Sequence, residues 1–226
     1  MQKFSLLILC AGFGKRMLDL TYDKPKPLLK VKNTPILENT INFFQNIGCN
    51  EIFINTHYLH KNIETYVLKN YKNYPINLVY EPSILGTGGA IKNIFNYTNN
   101  QNICVVNSDI LWKPNNRIDI LSFIKDFNNV NHCKILLAKE NKFFGLKNIK
   151  GDFNIKNNIV SNWTSGNDII FYSGLQIVSK KIFNNMPLNF SINEVWQKLI
   201  LKKNLKGELI GTNILHIGDK NAFRDL

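Results

Sequence analysis

The sequence has few cysteines and no long hydrophobic run, and each absence excludes a class of protein. Its 226 residues include four cysteines, none in a C-x-x-C pair, which argues against a zinc site and for reduced, buried thiols. The apolar N-terminal stretch, Phe4–Ala11, is too short to cross a membrane and leads directly into a glycine loop, unlike a secretory signal. We therefore expect a cytoplasmic protein with no membrane partner. The cysteines are Cys10, Cys49, Cys104 and Cys133.

Acidic residues are also scarce, and the formal net charge is +12, from 28 Lys and Arg against 16 Asp and Glu. Such a balance favours anionic ligands, including nucleotides. No basic run reaches the length of a nucleic-acid-binding tail, and no basic stretch is interleaved with aromatic residues. We therefore expect no nucleic-acid partner and assign most lysines to the solvated surface. A general polyanion-binding module stays open as an alternative that rests on the net charge alone.

The hydrophobic pattern predicts one α/β domain over residues 1–226. In residues 1–140, apolar runs alternate with amphipathic segments, which predicts a doubly wound, mostly parallel sheet with ligands at the carboxyl ends of its strands. Residues 141–226 are more antiparallel in character and are predicted to form a small substrate-binding lobe with a closing strand, Leu215–Gly218. The other predicted strands are Phe4–Ala11, Glu51–Thr56, Ile76–Glu81, Ile103–Asn107 and Lys134–Ala138. The predicted helices are Ile36–Ile47, Lys61–Asn70, Gly89–Asn96, Ile118–Asn128 and Ile192–Lys202.

The first predicted strand ends in a glycine loop that carries positive charge. Glycine lets backbone N–H groups approach an anion closely, and the nearby cations would balance its charge, so the loop predicts a phosphate site. The loop is not a P-loop, because one residue separates its glycines, and Met17 stands where a dinucleotide motif needs a third glycine. The glycines are Gly12 and Gly14, and the cations are Lys15, Arg16 and Lys26.

The string from Leu9 to Met17, followed by Pro25-Lys26-Pro27, resembles the opening of the sugar-phosphate nucleotidyltransferases, L-A-A-G-x-G-x-R-M and then P-K-P. Within that family the chain looks most like the short N-acetylmuramate-1-phosphate uridylyltransferases, and the short mannose-1-phosphate guanylyltransferases share most of the same motifs. The resemblance implies a Rossmann-like nucleotidyltransferase fold, Mg²⁺ as cofactor, and a nucleoside triphosphate and a sugar-1-phosphate as substrates. The further matching segments are Ile54–Leu59, Thr87–Gly89, Val106–Asp109, Gly151–Phe153 and Tyr172–Gly174.

The resemblance also implies roles for individual residues. Arg16 and Lys26 would neutralise the triphosphate and the charge that develops at the α-phosphorus, and Asp109 would hold Mg²⁺. Nucleotidyl transfer depends on positioning and charge neutralisation, and the sugar phosphate is already anionic, so no strong general base is required. Ala11, Gly12 and Gly88 would touch the base, and Asp152, Ser173 and Gly174 would line the sugar site. From their positions in the sequence we also predict Gly14, Lys15, Glu81 and Gly89 at the nucleotide site and Asn107 at the sugar site.

The sequence leaves alternatives open at the metal site. Asp109 directly follows an apolar strand, where a carboxylate either binds Mg²⁺ or caps the next turn. The family closes with W-x-D-[IV]-G-T, whose aspartate is a second metal ligand, but here His216 takes that place and Asp219 replaces the threonine. Imidazole is a poor Mg²⁺ ligand. Three hypotheses therefore stand beside a structural histidine: a water-mediated contact from His216, a shifted site at Asp219, or a metal held mainly by Asp109 and phosphates.

The identity of the base is also open, and Glu81 bears on it. If this side chain meets the base, its carboxylate matches two adjacent donors of guanine, whereas uracil has one donor between two acceptors. If it faces solvent, nothing follows. The leading hypothesis from the resemblance is UTP with N-acetylmuramate-1-phosphate, in cell-wall recycling. The alternatives are GTP with mannose-1-phosphate or a related hexose or heptose phosphate, and a non-catalytic nucleotide-sugar sensor. The sequence does not indicate an oligomeric state.

Overall fold

A computed structural model describes residues 2–145 and 150–224. Strands and helices alternate through the first 140 residues, and no helix in the described ranges is long and apolar enough to cross a membrane. The strands are β1 (Phe4–Leu9), β2 (Lys30–Val31), β3 (Thr34–Pro35), β4 (Cys49–Thr56), β5 (Ile76–Tyr80), β6 (Asn102–Asn107), β7 (Ile110–Leu111), β8 (Cys133–Lys139), β9 (Phe143–Phe144), β10 (Phe153–Lys156), β11 (Ile159–Asn162), β12 (Ile170–Ser179), β13 (Leu205–Leu209) and β14 (Ile214–His216). The helices are α1 (Ile36–Gln45), α2 (His60–Asn70), α3 (Gly86–Ile94), α4 (Arg117–Ile124), α5 (Ile192–Leu201) and α6 (Lys220–Arg224).

Strands β6, β1, β4 and β5 form a parallel block, in that order, within a nine-stranded sheet. Strand β1 is apolar except for the buried Ser5, because both faces of the sheet are covered. Leu6 and Ile8 pack in the core cluster on one face with Leu37 of α1, whereas Leu7 packs in the cluster on the other face with Ile91 of α3. The carboxyl ends of the four strands meet at one edge, which is where α/β folds bind ligands.

The complete sheet has the order β10-β11-β13-β8-β12-β6-β1-β4-β5. Strand β12 is antiparallel to β6 and β8, β10 and β11 form an antiparallel pair, and β13 is parallel to β8. A parallel first half and a more antiparallel second half confirm the predicted α/β class. The apolar pattern does not predict β13, because Gly207 interrupts it; a Cβ there would lie 2.6 Å from Val160 Cγ2.

A small second sheet brings the end of the chain beside β6. Strand β14 pairs antiparallel with β7, with His216 opposite Ile110, and parallel with β9. The Ile217 N–H donates to the Asp109 carbonyl at 2.7 Å, which fixes residues 214–218 next to the carboxyl end of β6. The predicted closing strand is therefore present, at Ile214–His216 rather than Leu215–Gly218.

Candidate active site

The carboxyl ends of the parallel strands open into a cavity of about 420 Å³. Its wall combines the glycine loop after β1, the residues that follow β5 and β6, and the start of α3. A concave site of this size suits a small-molecule ligand. The structure brings the following predicted site residues together in this wall: Ala11, Gly12, Gly14, Lys15, Arg16, Lys26, Glu81, Asn107 and Asp109.

Two cations of the cavity differ in how the protein holds them. Lys26 begins a 3-10 turn after Pro25, is nearly buried, and donates from Nζ to Asp109 Oδ2 at 2.9 Å. Arg16 is exposed, and in residues 2–145 and 150–224 no acidic side chain forms an ion pair with it. The Lys26 ammonium is therefore fixed in place, whereas the Arg16 guanidinium is available to an incoming anion.

Asp109 lies between Lys26 and His216. Its Oδ2 accepts a hydrogen bond from Lys26 and lies 3.4 Å from His216 Nε2, and the Asp109 and His216 side chains are only 16% and 12% exposed. Burial acts to raise the pKa of the Asp109 carboxyl. The interaction with His216 and the charge of Lys26 outweigh burial and hold that pKa well below its usual range. Asp109 is therefore a carboxylate at neutral pH, the form that binds a cation.

Asp109, which lines the cavity, and the neighbouring His216 are the residues that fit a divalent cation. Asp109 Oδ1 and His216 Nδ1 are buried and have no hydrogen-bond partner among the described residues. Nor do three or more His, Cys, Asp or Glu cluster around a cation site in that part of the chain, so phosphate and water oxygens would complete the coordination. Asp219 is not among the residues that line the cavity, and its Oδ1 accepts the Ala222 N–H at 2.9 Å at the start of α6.

Glu81 also lines the cavity, and its side chain is buried, with the residue only 1% exposed. Asn55 Nδ2 donates to Oε1 at 2.8 Å, and the Leu85 N–H donates to Oε2 at 3.1 Å. Asn55 Oδ1 accepts the Cys10 N–H at 2.9 Å, which ties this carboxylate to the end of β1. Glu81 and Asp109 follow strands β5 and β6, which are three strand spacings apart, roughly 14–15 Å, so they mark opposite sides of the cavity.

Gly88 and Gly89, which are predicted nucleotide-site residues, are not among the residues that line the cavity. Their N–H groups donate to the Phe190 carbonyl, at 3.0 and 3.2 Å. A Cβ on Gly88 would lie 2.2 Å from the Phe190 ring, and a Cβ on Gly89 would lie 2.1 Å from the Leu188 carbonyl oxygen. Glycine is therefore needed here so that α3 can pack against the segment before α5. The residues of α3 that line the cavity are instead Gly86, Thr87 and Ala90.

Replacing Gly88 with alanine should lower the free energy of unfolding by about 1–3 kcal/mol, because the new methyl group overlaps the Phe190 ring. Urea denaturation followed by circular dichroism measures this change. Gly12→Ala is the matched control, since a Cβ on Gly12 meets no atom within 4 Å. The control should change stability by less than about 0.5 kcal/mol. Equal stabilities for the two variants would contradict the packing role.

Of the predicted sugar residues, Ser173 and Gly174 lie within β12, Asp152 directly precedes β10 and Asn107 ends β6. Gly174 has φ +88° and a Cβ on it would lie 2.7 Å from the Ile110 side chain, so glycine lets β12 pass close to the end of β6. Ser173 is fully buried, and its Oγ has no hydrogen-bond partner in the described ranges. The Asp152 carboxylate accepts a backbone N–H of β12 at 2.9 Å. Asn107 lines the cavity, whereas Asp152, Ser173 and Gly174 are not among its lining residues.

Asn55 is a cavity residue to which the sequence motifs assign no role. It orients Glu81 and contacts the end of β1. Because Asn55 lies near the end of the predicted strand Glu51–Thr56, the rule that ligands bind at carboxyl ends of strands would have pointed to it. The remaining lining residues are Leu9, Cys10, Pro27, Ile84, Gly86, Thr87, Ala90, Ser108 and Gly218.

A family comparison decides the class of this site. The model of the nucleotidyl transferase family matches residues 5–157, a range that holds the glycine loop, Glu81 and Asp109. The chain belongs to the nucleotidyl transferase family. The resemblance seen in the glycine loop is thereby confirmed, and with it the prediction of an enzyme of this class. Members of this family generally depend on a divalent metal.

Relatives within the nucleotidyl transferase family differ in base. The chain is 36% identical over 106 residues to D-glycero-alpha-D-manno-heptose 1-phosphate guanylyltransferase of Aneurinibacillus thermoaerophilus, which covers 47% of this chain and 46% of that one. It is 27% identical over 221 residues to the protein of the same name from Campylobacter jejuni, at 94% and 93% coverage. It is 36% identical over 108 residues to N-acetylmuramate alpha-1-phosphate uridylyltransferase of Neisseria meningitidis, at 46% coverage of each chain. The first and third alignments thus span about half the length of those relatives.

The fold is similar to that of HddC from Yersinia pseudotuberculosis, whose crystal structure contains GMP-PN. The two chains align with a TM-score of 0.77 and 24% identity, over 98% of this chain and 97% of that one. At this identity the likeness concerns the fold alone. It confirms the predicted α/β nucleotidyltransferase fold.

Proposed function

We propose that this protein transfers a guanylyl group from GTP to a sugar-1-phosphate of the mannose or heptose type and releases pyrophosphate. The choice of base departs from the leading hypothesis drawn from the sequence, which was UTP with N-acetylmuramate-1-phosphate. The observation that carries the proposal is the buried carboxylate of Glu81 in the wall of the cavity.

The hydrogen bonds of Glu81 favour guanine. A glutamate is rarely buried unless it is paired, and in the described part of the chain this carboxylate has neutral donors and no cationic partner. Each of its oxygens keeps a lone pair for a further donor. Guanine offers two adjacent N–H donors, one from the ring and one from the amino group. Uracil has a carbonyl beside its single N–H, and that carbonyl would face a carboxylate oxygen, acceptor against acceptor.

Charge neutralisation drives the transfer at the phosphate side of the cavity. Arg16 and Lys26 would neutralise the triphosphate and the charge that develops at its α-phosphorus. Asp109, together with His216, would hold a divalent cation, which when bound neutralises charge on the phosphate oxygens. The nucleophile is the phosphate oxygen of the sugar-1-phosphate, which is already anionic, so the chain needs no histidine or carboxylate as a strong base.

The sugar would bind next to Asn107. In this arrangement residues 1–140 hold the nucleotide, and residues 141–226, which include β12, form the smaller, sugar-binding lobe of the same domain. The short side chains of Ser173 and Gly174 leave room for a hexose or heptose beside Asp152. The relative that aligns over 94% of the chain, named a heptose 1-phosphate guanylyltransferase, supports a sugar of this type. Free, buried thiols support a reducing, cytoplasmic setting.

UTP with N-acetylmuramate-1-phosphate is the second candidate, and it would place the enzyme in cell-wall recycling. A relative of that activity, 36% identical over 108 residues, and the motif match at Tyr172–Gly174 support it. Asn55 would then read the base, because its amide donates one N–H to Glu81 and keeps a second for a uracil carbonyl.

Titration calorimetry with GTP and UTP, each with a divalent cation, tests the choice of base. We expect GTP to bind at least about 100-fold more tightly, because the wrong base leaves buried polar groups unpaired at about 1–3 kcal/mol each. Glu81→Gln should weaken GTP binding by roughly 10- to 100-fold, because an amide N–H would face a guanine N–H donor. The ratio of the GTP affinity to the UTP affinity should therefore decrease.

Glu64→Gln is the matched control for Glu81→Gln, because Glu64 is exposed on α2. This control should leave both affinities within about twofold of the wild type. Tighter binding of UTP than of GTP, or an affinity ratio that Glu81→Gln leaves unchanged, would contradict guanine recognition and favour the second candidate.

A further inference from the structure

We propose that His216 is itself a ligand of the divalent cation, and that the pair of Asp109 and His216 selects Mn²⁺ over Mg²⁺. The inference deepens the proposed function and rests on it, because the cation would serve the same phosphate transfer. It concerns a position at which this chain departs from the closing aspartate motif of the nucleotidyltransferases.

The spacing of the two side chains fits a shared cation. His216 Nε2 lies 3.4 Å from Asp109 Oδ2, which is longer than the 2.7–2.9 Å typical of a charge-assisted hydrogen bond, so the two side chains are adjacent without a short direct bond. Oδ2 already accepts a hydrogen bond from Lys26, whereas the second carboxylate oxygen, Oδ1, has no partner among the described residues. Two donors that share an octahedral cation, with bonds near 2.1 Å, lie about 3 Å apart. The Ile217 N–H donates to the Asp109 carbonyl at 2.7 Å, so a backbone hydrogen bond holds the segment that carries His216 beside Asp109.

Packing holds the His216 ring in this position. Its centroid lies 5.6 Å from that of Phe143, and a Cβ on Gly218 would lie 2.3 Å from His216 Cε1, so the glycine makes room for the ring. His216 Nδ1 is buried without a hydrogen-bond partner among the described residues, and the same holds for Asp109 Oδ1. The ring therefore presents Nε2 towards Asp109 because of its packing, and the carboxylate keeps one oxygen for a cation.

The chemistry of these donors sets the choice of cation. Mg²⁺ prefers six oxygen ligands, and an imidazole in place of a carboxylate removes one anionic oxygen from its site. First-row transition cations accept imidazole nitrogen, and among them Mn²⁺ also suits carboxylate and phosphate oxygens. One imidazole, one carboxylate and phosphate oxygens therefore favour Mn²⁺ over Mg²⁺.

Pulsed electron paramagnetic resonance of the full chain with MnCl₂ and inorganic pyrophosphate tests this site in the absence of a nucleobase and of the transfer reaction. We expect nitrogen hyperfine coupling to the bound Mn²⁺. In competition titrations the dissociation constant for Mg²⁺ should exceed that for Mn²⁺ by about 100-fold in the wild type and by about 10-fold or less in His216→Asp, whose site offers oxygen only. The His216→Asp variant should bind Mn²⁺ without the nitrogen coupling.

His132→Asp is the matched control, because His132 is exposed and lies outside the cavity. It should keep both the nitrogen coupling and the wild-type ratio of dissociation constants. His216→Asn supplies the same comparison if the added negative charge prevents His216→Asp from folding. Wild-type Mn²⁺ without nitrogen coupling, or a coupling that persists in the His216 variants, would overturn the proposal. Pyrophosphate carries no nucleobase, so the nitrogen coupling and the ratio of dissociation constants would not change if the proposed recognition of guanine were wrong.

Discussion

Replacing Asp109 with asparagine should lower kcat/KM for the nucleotidyl transfer by roughly 1,000-fold or more, the effect expected when a charged group that stabilises the transition state is removed. The pKa of Asp109 lies well below its usual range, so the wild-type side chain is charged at neutral pH. Asparagine keeps the shape but loses the charge that holds a divalent cation and pairs with Lys26. Initial rates of pyrophosphate release measure the change.

The same variant should also be less stable. A loss of stability would show that the charge of Asp109 supports the fold as well as the transfer. Lys26 Nζ lies 2.9 Å from the carboxylate and both side chains are largely buried, so the variant leaves a buried ammonium with a neutral partner. We expect the free energy of unfolding to fall by about 3 kcal/mol. In Lys26→Met/Asp109→Asn, part of that loss should return because no unpaired cation remains. If Asp109→Asn alone kept wild-type activity at a saturating concentration of the divalent cation, Asp109 would be ruled out as the cation ligand.

Arg16→Ala is the second change with a large expected effect, a loss of about 100- to 1,000-fold in kcat with little change in stability. Arg16 is exposed, forms no ion pair with a described residue, and lies in the glycine loop beside the phosphate side of the cavity. Its guanidinium therefore contributes to the folded state only through solvated charge, whereas it would contact the triphosphate during transfer. Steady-state kinetics with thermal unfolding of the same samples measure both quantities.

Arg117→Ala is the matched control for Arg16→Ala. Arg117 begins α4 and donates to the Asn46 carbonyl, outside the cavity. Its removal should leave kcat within about twofold of the wild type, as for a surface substitution away from the site. If Arg16→Ala reduced kcat no more than Arg117→Ala does, phosphate neutralisation by the glycine loop would be excluded.

The sequence predicts the parallel half of the fold well because its signals are local. Apart from Ser5, β1 is an apolar run that leads into the glycine loop, and the apolar run Ile103–Val106 of β6 ends three residues before Asp109. The small sheet is not predictable in the same way. Its strands β7, β9 and β14 have two or three residues each, too few to show a period, and distant parts of the chain determine their pairing.

In the candidate site, too, some features follow from local sequence motifs and others depend on distant parts of the chain. The glycine loop, Lys26 and Asp109 are found from motifs, whereas the burial of Glu81 depends on Asn55 and Leu85, which the fold brings to it. The glycines of α3 look like a ligand loop in the sequence, yet two of them serve packing against residues 188–192, which are about 100 positions away in the chain. A glycine pattern alone does not distinguish these two reasons for a missing side chain.

The central claim, guanylyl transfer to a sugar-1-phosphate, is tested most directly by pyrophosphate release with GTP or UTP. Each triphosphate is combined with mannose-, heptose- or N-acetylmuramate-1-phosphate, with Mg²⁺ and with Mn²⁺. The account predicts release with GTP and a mannose- or heptose-type phosphate, at a kcat/KM at least about 100-fold above any UTP combination, as the unpaired donors and acceptors require. Release with UTP and N-acetylmuramate-1-phosphate as the best pair would contradict it, as would nucleotide binding without release from any pair.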